Sequence, residues 1–151
     1  FAVRCSEKLR AQNSFCTRVS VFVRTNRHKK DLEQYRNGIE VKLEVPTNST
    51  FDIVRAATQG LDTIFKQGYH YKRTGVIISG IIDDYASQLA LFSSYNPKHN
   101  DVLQVVDRIN KKAKHSIIKV ASQDMKRTWK MKQDTLSGKF TTSLDDLIKV
   151  C

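Results

Sequence analysis

Ile39, Val41, Leu43 and Val45 alternate with Glu40, Lys42 and Glu44, the pattern of a strand with one apolar and one charged face. Such a strand cannot stand alone, because its apolar face needs a cover and its backbone needs a partner. The partner is close in sequence. Over residues 17–25, Val19, Val21 and Val23 alternate with Ser20, Phe22 and Arg24. A polar loop from Asn26 to Gly38 joins the two, basic at its start with Arg27, His28, Lys29 and Lys30. Pro46 is expected to stop the later strand.

The cover is legible too. Ile53, Val54, Ala57, Leu61, Ile64 and Phe65 recur with helical period after the N-cap candidates Thr47, Asn48, Ser49 and Thr50, and Gly68 is the expected C-terminal stop. Ala2, Cys5 and Leu9 mark a helix over residues 1–12. Thr74 to Ile82 is rich in β-branched residues and reads as a buried strand. The order α-β-β-α-β predicts an α+β fold with helices on one face of a sheet. A strand before residue 1 would complete a ferredoxin-like unit, so the expected sheet is a half sheet.

Residues 83–100 hold no strong period and read as a linker. Asn100 is the expected cap of a helix carrying Val102, Val105, Val106 and Ile109, and Ser116 to Ala121 looks like a short strand. Trp129, Met131, Leu136, Phe140 and Leu144 are scattered apolar anchors, with Trp129 the expected core of a small α+β C-terminal segment. Three units are therefore expected: 1–83, a linker over 84–100, and 101–151.

The net charge is +11, with +6 on residues 1–83 and +5 on residues 84–151. A positive field on both halves favours a polyanion, most often nucleic acid. Residues 111–132 alone carry eight Lys/Arg against Asp124. Cys5, Cys16 and Cys151 are odd in number and lack a CxxC pair, which points to free thiols in a reducing, cytoplasmic compartment. His28, His70, His99 and His115 make no metal-ligand spacing, so no metal or cofactor is expected. No apolar run approaches a membrane span. Phe1-Ala2-Val3-Arg4 reads as a helix interior with no initiator Met or signal peptide, so the chain is expected to begin inside a longer protein.

Gln88-Leu89-Ala90-Leu91-Phe92 resembles the pentapeptide by which bacterial replication proteins grip the sliding clamp. Around it, Glu7-Lys8-Leu9-Arg10, Val21 to Asn26, Pro46-Thr47, Gly68 to Lys72, Gly75-Val76, Asp107 to Asn110, Trp129-Lys130-Met131 and Leu136-Ser137 are similar to the C-terminal part of UmuC-type chains. These are Y-family translesion DNA polymerases, of the DNA polymerase V catalytic-subunit type. Phe140, Leu144 and Ile148 depart from that family's usual residues.

The resemblance implies a little finger domain over residues 1–83 that holds primer-template DNA during SOS repair. Its implied DNA-binding residues are Arg24, Arg27, Lys29, Lys30, Lys72, Arg73 and Thr74. Gln88, Leu89, Leu91 and Phe92 are the implied clamp-binding residues. The resemblance also points to a UmuD-type accessory subunit, for which no residue here speaks. The family's catalytic carboxylates and Mg2+ belong to a palm domain that would precede residue 1. Asp83-Asp84 and Asp145-Asp146 read as turn and helix-start acids, and no activity is expected of this stretch alone. Two other readings stand beside this one. An RNA-binding α+β domain would need exposed strand aromatics, and only Phe22 offers one. A protein-interaction module would be basic without a nucleic-acid role.

Overall fold

The structure is a computed structural model and describes residues 1–83, 97–113, 116–123 and 136–138. Its elements are α1 (Ala2–Ala11), β1 (Ser14–Thr25), β2 (Arg36–Thr47), α2 (Thr50–Ile64), β3 (Tyr71–Asp83) and α3 (Pro97–Lys112). The three strands form one antiparallel sheet in the order β2-β1-β3. The α+β class and the half sheet with helices on one face are as the sequence predicts.

Alternation positions everything that follows. Val19, Val21 and Val23 of β1 turn inward with Ile39, Val41 and Leu43 of β2 and Val76 and Ile78 of β3. Leu9 of α1 and Ile53, Ala56, Ala57 and Ile64 of α2 close over them. Leu9, Val19 and Ile53 are essentially inaccessible, and burial of a side chain of this size contributes roughly 1.5–3 kcal/mol. Phe22, Arg24, Arg36, Gly38, Arg73 and Gly75 therefore lie on the opposite, helix-free face.

Several boundaries differ from the expectation. β2 runs through Pro46 to Thr47, because it is an edge strand and a missing N–H there breaks no ladder. β3 is not a buried strand: Ile77 and Ile81 are more than half exposed. α2 ends at Ile64, where Phe65 turns extended (φ −72°, ψ 133°). Gly68 instead serves a turn at φ +96°, a conformation costly for a residue with a Cβ. Ser49 is the N-cap but its hydroxyl accepts no capping bond; Thr47 accepts from the Ser49 N–H at 3.0 Å and donates to Asp52 at 3.3 Å.

α3 begins at Pro97, so Asn100 lies in its first turn and the linker ends earlier than expected. Only Leu103 of this helix is fully buried, while Val102, Val105 and Ile109 are exposed among the described residues. Residues 116–123 contain no strand. The Asn110 side chain donates to the Ile118 carbonyl and accepts from its N–H, both at 2.9 Å, and takes the place of a ladder partner. The clamp-like residues 88–92, Asp84 and Trp129 lie outside the described residues.

Candidate nucleic-acid interface

The register of the sheet places like charges side by side. Arg24 of β1 is paired with Arg36 of β2 on one side and Arg73 of β3 on the other. With strands about 4.8 Å apart, three guanidinium-bearing residues span roughly 10 Å of the open face. Like charges directly opposite each other in a sheet are destabilising. No carboxylate of the described residues pairs with any of the three. The ion pairs found there are Arg4–Glu7, Arg10–Asp107, Arg18–Glu40 and Arg55–Asp52. Arg24 Nε is buried without a hydrogen-bond partner.

The adjacent row is Gly38–Phe22–Gly75. A Cβ on Gly75 would lie 2.6 Å from two ring atoms of Phe22, so the ring lies across the glycine and would have to move aside for any side chain there. The Arg24 guanidinium sits over that ring at 5.4 Å from its centroid. This stacking holds one cation against the sheet and leaves its rim for a ligand. Farther along the same face, Glu40 accepts from Arg18 and from Ser20, each at 3.4 Å. Positive charge is thus uncompensated at one end of the sheet and offset along the rest.

Of the sequence-predicted DNA residues, Arg24 and Arg73 meet as a direct cross-strand pair. Arg27, Lys29 and Lys30 are exposed on the loop joining Thr25 to Arg36, which leaves the sheet at the same end. That loop is organised by Gln34, whose Nε2 donates to the carbonyls of Asn26, Lys29 and Leu32 at 3.3, 2.8 and 2.9 Å. Lys72 is exposed at the register break between Arg24 and Thr25. Thr74 is not part of the arginine row: it pairs with Val23 and its hydroxyl donates to the Phe22 carbonyl at 3.0 Å. Sequence reasoning missed Arg36 and Gly38. Their spacing from the Ile39 alternation puts them on its charged face, but only the pairing register shows what stands opposite.

Comparison with known proteins places this sheet. Residues 1–91 match the impB/mucB/samB family C-terminal domain. The chain belongs to this family. Residues 100–150 match a second model, a domain of unknown function (DUF4113), so α3 lies almost wholly in that second region. The chain is 33% identical over 152 residues to Protein UmuC of Salmonella typhimurium, covering 99% of this chain and 36% of that protein. It is 34% identical over 148 residues to Protein SamB of the same organism, covering 97% and 35%. It is 29% identical over 116 residues to DNA polymerase IV of Clostridium acetobutylicum, covering 74% and 27%. The chain thus spans about a third of the length of these relatives, and the family domain it carries is the C-terminal one. Among the described residues, no three His, Cys, Asp or Glu side chains gather to hold a metal ion, and no helix is long and apolar enough to cross a membrane.

Proposed function

We propose that this chain is the DNA-holding and clamp-docking C-terminal portion of an error-prone translesion DNA polymerase. The observation that carries the DNA reading is the in-register row Arg36–Arg24–Arg73, uncompensated on a helix-free face. Three such cations contribute to stability only once an anion stands over them. A phosphate backbone supplies anions at regular spacing, and contacts to it bind without reading sequence, as a polymerase requires. Arg27, Lys29, Lys30 and Lys72 extend the field at the same end.

In this reading the nucleotidyl transfer chemistry, with its carboxylates and Mg2+, resides in another part of the parent polymerase. Gln88, Leu89, Leu91 and Phe92 dock a bacterial sliding clamp, a role supported by the pentapeptide pattern. A UmuD-type subunit is a further partner of the parent, in the cytoplasm.

The test is fluorescence anisotropy of a primer-template duplex against the chain and its Arg24→Ala/Arg36→Ala/Arg73→Ala variant over a salt series. Binding should weaken for all sequences alike, and the salt slope should fall by up to about three. Affinity indifferent to salt, or equal for the two proteins, would remove the DNA reading and favour a protein-interaction module.

A further inference from the structure

Around the corner from the arginine row lies a platform of aromatic rings. Tyr71 pairs with Thr25, beyond the Arg24–Arg73 pair, and faces the helix side of the sheet. Tyr35 and Tyr69 stack at 4.8 Å between centroids, with their planes 34° apart. Tyr71 meets Tyr35 edge-on at 6.2 Å and lies 5.4 Å from Phe65 at a 33° tilt. The cluster is fixed by its hydroxyls. Tyr35 donates to the Ile64 carbonyl at 2.8 Å; Tyr71 donates to the Lys66 carbonyl at 2.8 Å and accepts from the Lys66 N–H at 2.9 Å. The left-handed turn at Gly68 brings Tyr69 back onto Tyr35.

The outermost ring, Phe65, is 53% exposed, whereas Ile64 beside it is 3% exposed. A residue recruited only to close the core would be buried as Ile64 is. Instead its ring is held partly in solvent by the extended backbone at the end of α2, with Tyr71 behind it. The Lys66 ammonium lies over the Tyr35 ring at 5.2 Å, and exposed His70 and Lys72 follow. Between Asp62 and Asp83 the chain carries Lys66, Lys72 and Arg73 and no acid. An exposed flat ring among cations suits a nucleobase still attached to its phosphates.

We infer that Phe65, backed by Tyr71 and flanked by Lys66 and Lys72, is a stacking site for an unpaired base of a single-stranded extension continuous with the duplex on the open face. This rests on the DNA reading above for the duplex, and Lys72 lies on the way between the two sites. Stacking on one aromatic side chain tolerates any base, so the site adds affinity for a junction without adding sequence preference.

The experiment uses the intact chain and three probes: a blunt duplex, the same duplex with a single-stranded extension, and that extension carrying 2-aminopurine next to the junction. The wild type should bind the extended duplex more tightly than the blunt one and change the 2-aminopurine emission. Phe65→Leu, which keeps an apolar cap on Tyr71, should lose that signal and the excess affinity, about 5- to 100-fold, with blunt-duplex binding within twofold. Phe65→Trp should keep both. Circular dichroism verifies that each variant is folded. An extension preference that is absent in the wild type, or equal in wild type and Phe65→Leu, overturns the inference and leaves Phe65 as a protein-contact residue. Loss of blunt-duplex binding alone, with a Phe65-dependent extension signal retained, would remove the sheet reading and leave this site standing.

Discussion

Arg10 and Asp107 form a two-pronged ion pair across 97 residues of sequence, Nε to Oδ2 at 2.6 Å and Nη2 to Oδ1 at 3.0 Å. Arg10 is nearly buried, and its Nη1 also donates to the Asn48 carbonyl and the Thr50 hydroxyl, both at 2.9 Å. One guanidinium thus joins α1, the entry to α2, and α3. The pair links the family's C-terminal domain to the region that follows it. Asp107→Ala should cost on the order of 2–3 kcal/mol. That is below the 3–5 kcal/mol typical of a broken buried pair, because Asp107 is partly exposed and Arg10 keeps two other acceptors. Urea unfolding measures it, and limited proteolysis should show α3 released from a still-folded sheet.

Gly75→Ala should destabilise the domain by about 0.5–1.5 kcal/mol, the cost of pushing a side chain on the open face off its rotamer. The added methyl meets Cε1 and Cζ of Phe22, so the ring must lift and Arg24 lose its stacking surface. Duplex affinity should fall with stability. Thermal unfolding in parallel with anisotropy checks both, and Gly75→Ala with an unchanged melting temperature would contradict the close approach.

Burial pushes the Cys16 thiol up from 9.0 to about 11, with a smaller upward push from Cys5, against a lowering by a backbone hydrogen bond. The native state thus favours the protonated thiol, which donates to the Thr47 carbonyl at 3.4 Å. Its folded value is raised, so this contribution is fully present below pH 9 and is lost as pH rises through 11, an effect on the order of 2 kcal/mol. Cys16→Ala should flatten the fall of stability between pH 9 and 11. In the native protein Cys16 should resist thiol reagents that modify the more accessible Cys5.

Leu91→Ala/Phe92→Ala should abolish binding to a bacterial sliding clamp and spare duplex binding. Each apolar anchor lost from a pocket removes roughly 1.5–3 kcal/mol. Isothermal titration against the clamp decides it, and equal affinity for the two proteins would mark the pentapeptide as a chance match.

The sequence by itself determined the elements of residues 1–83 and the apolar face of α1, β1, β2 and α2, because alternation and helical period are local properties of the chain; the β-branched run of β3 did not show that one of its faces is open. Val19, Val21 and Val23, the Ile39 alternation and the Ile53 stripe all end in one core for that reason. It also showed a basic loop at Arg27–Lys30 and named Arg24 and Arg73. What stands opposite what depends on strand register, which no local pattern carries. The tertiary structure alone aligned Arg36, Arg24 and Arg73, laid Phe22 over Gly75, and gathered Tyr35, Phe65, Tyr69 and Tyr71 from three separate stretches. The same limit accounts for α3. Its stripe of Val102, Val105 and Ile109 is legible as periodicity, yet that stripe stays exposed, and the helix is held by buried Leu103 and by the ion pair to Arg10. Arg10 reaches Asp107 because the fold brings α1 and α3 together, and its nearly buried guanidinium is stabilised there by a carboxylate distant in sequence.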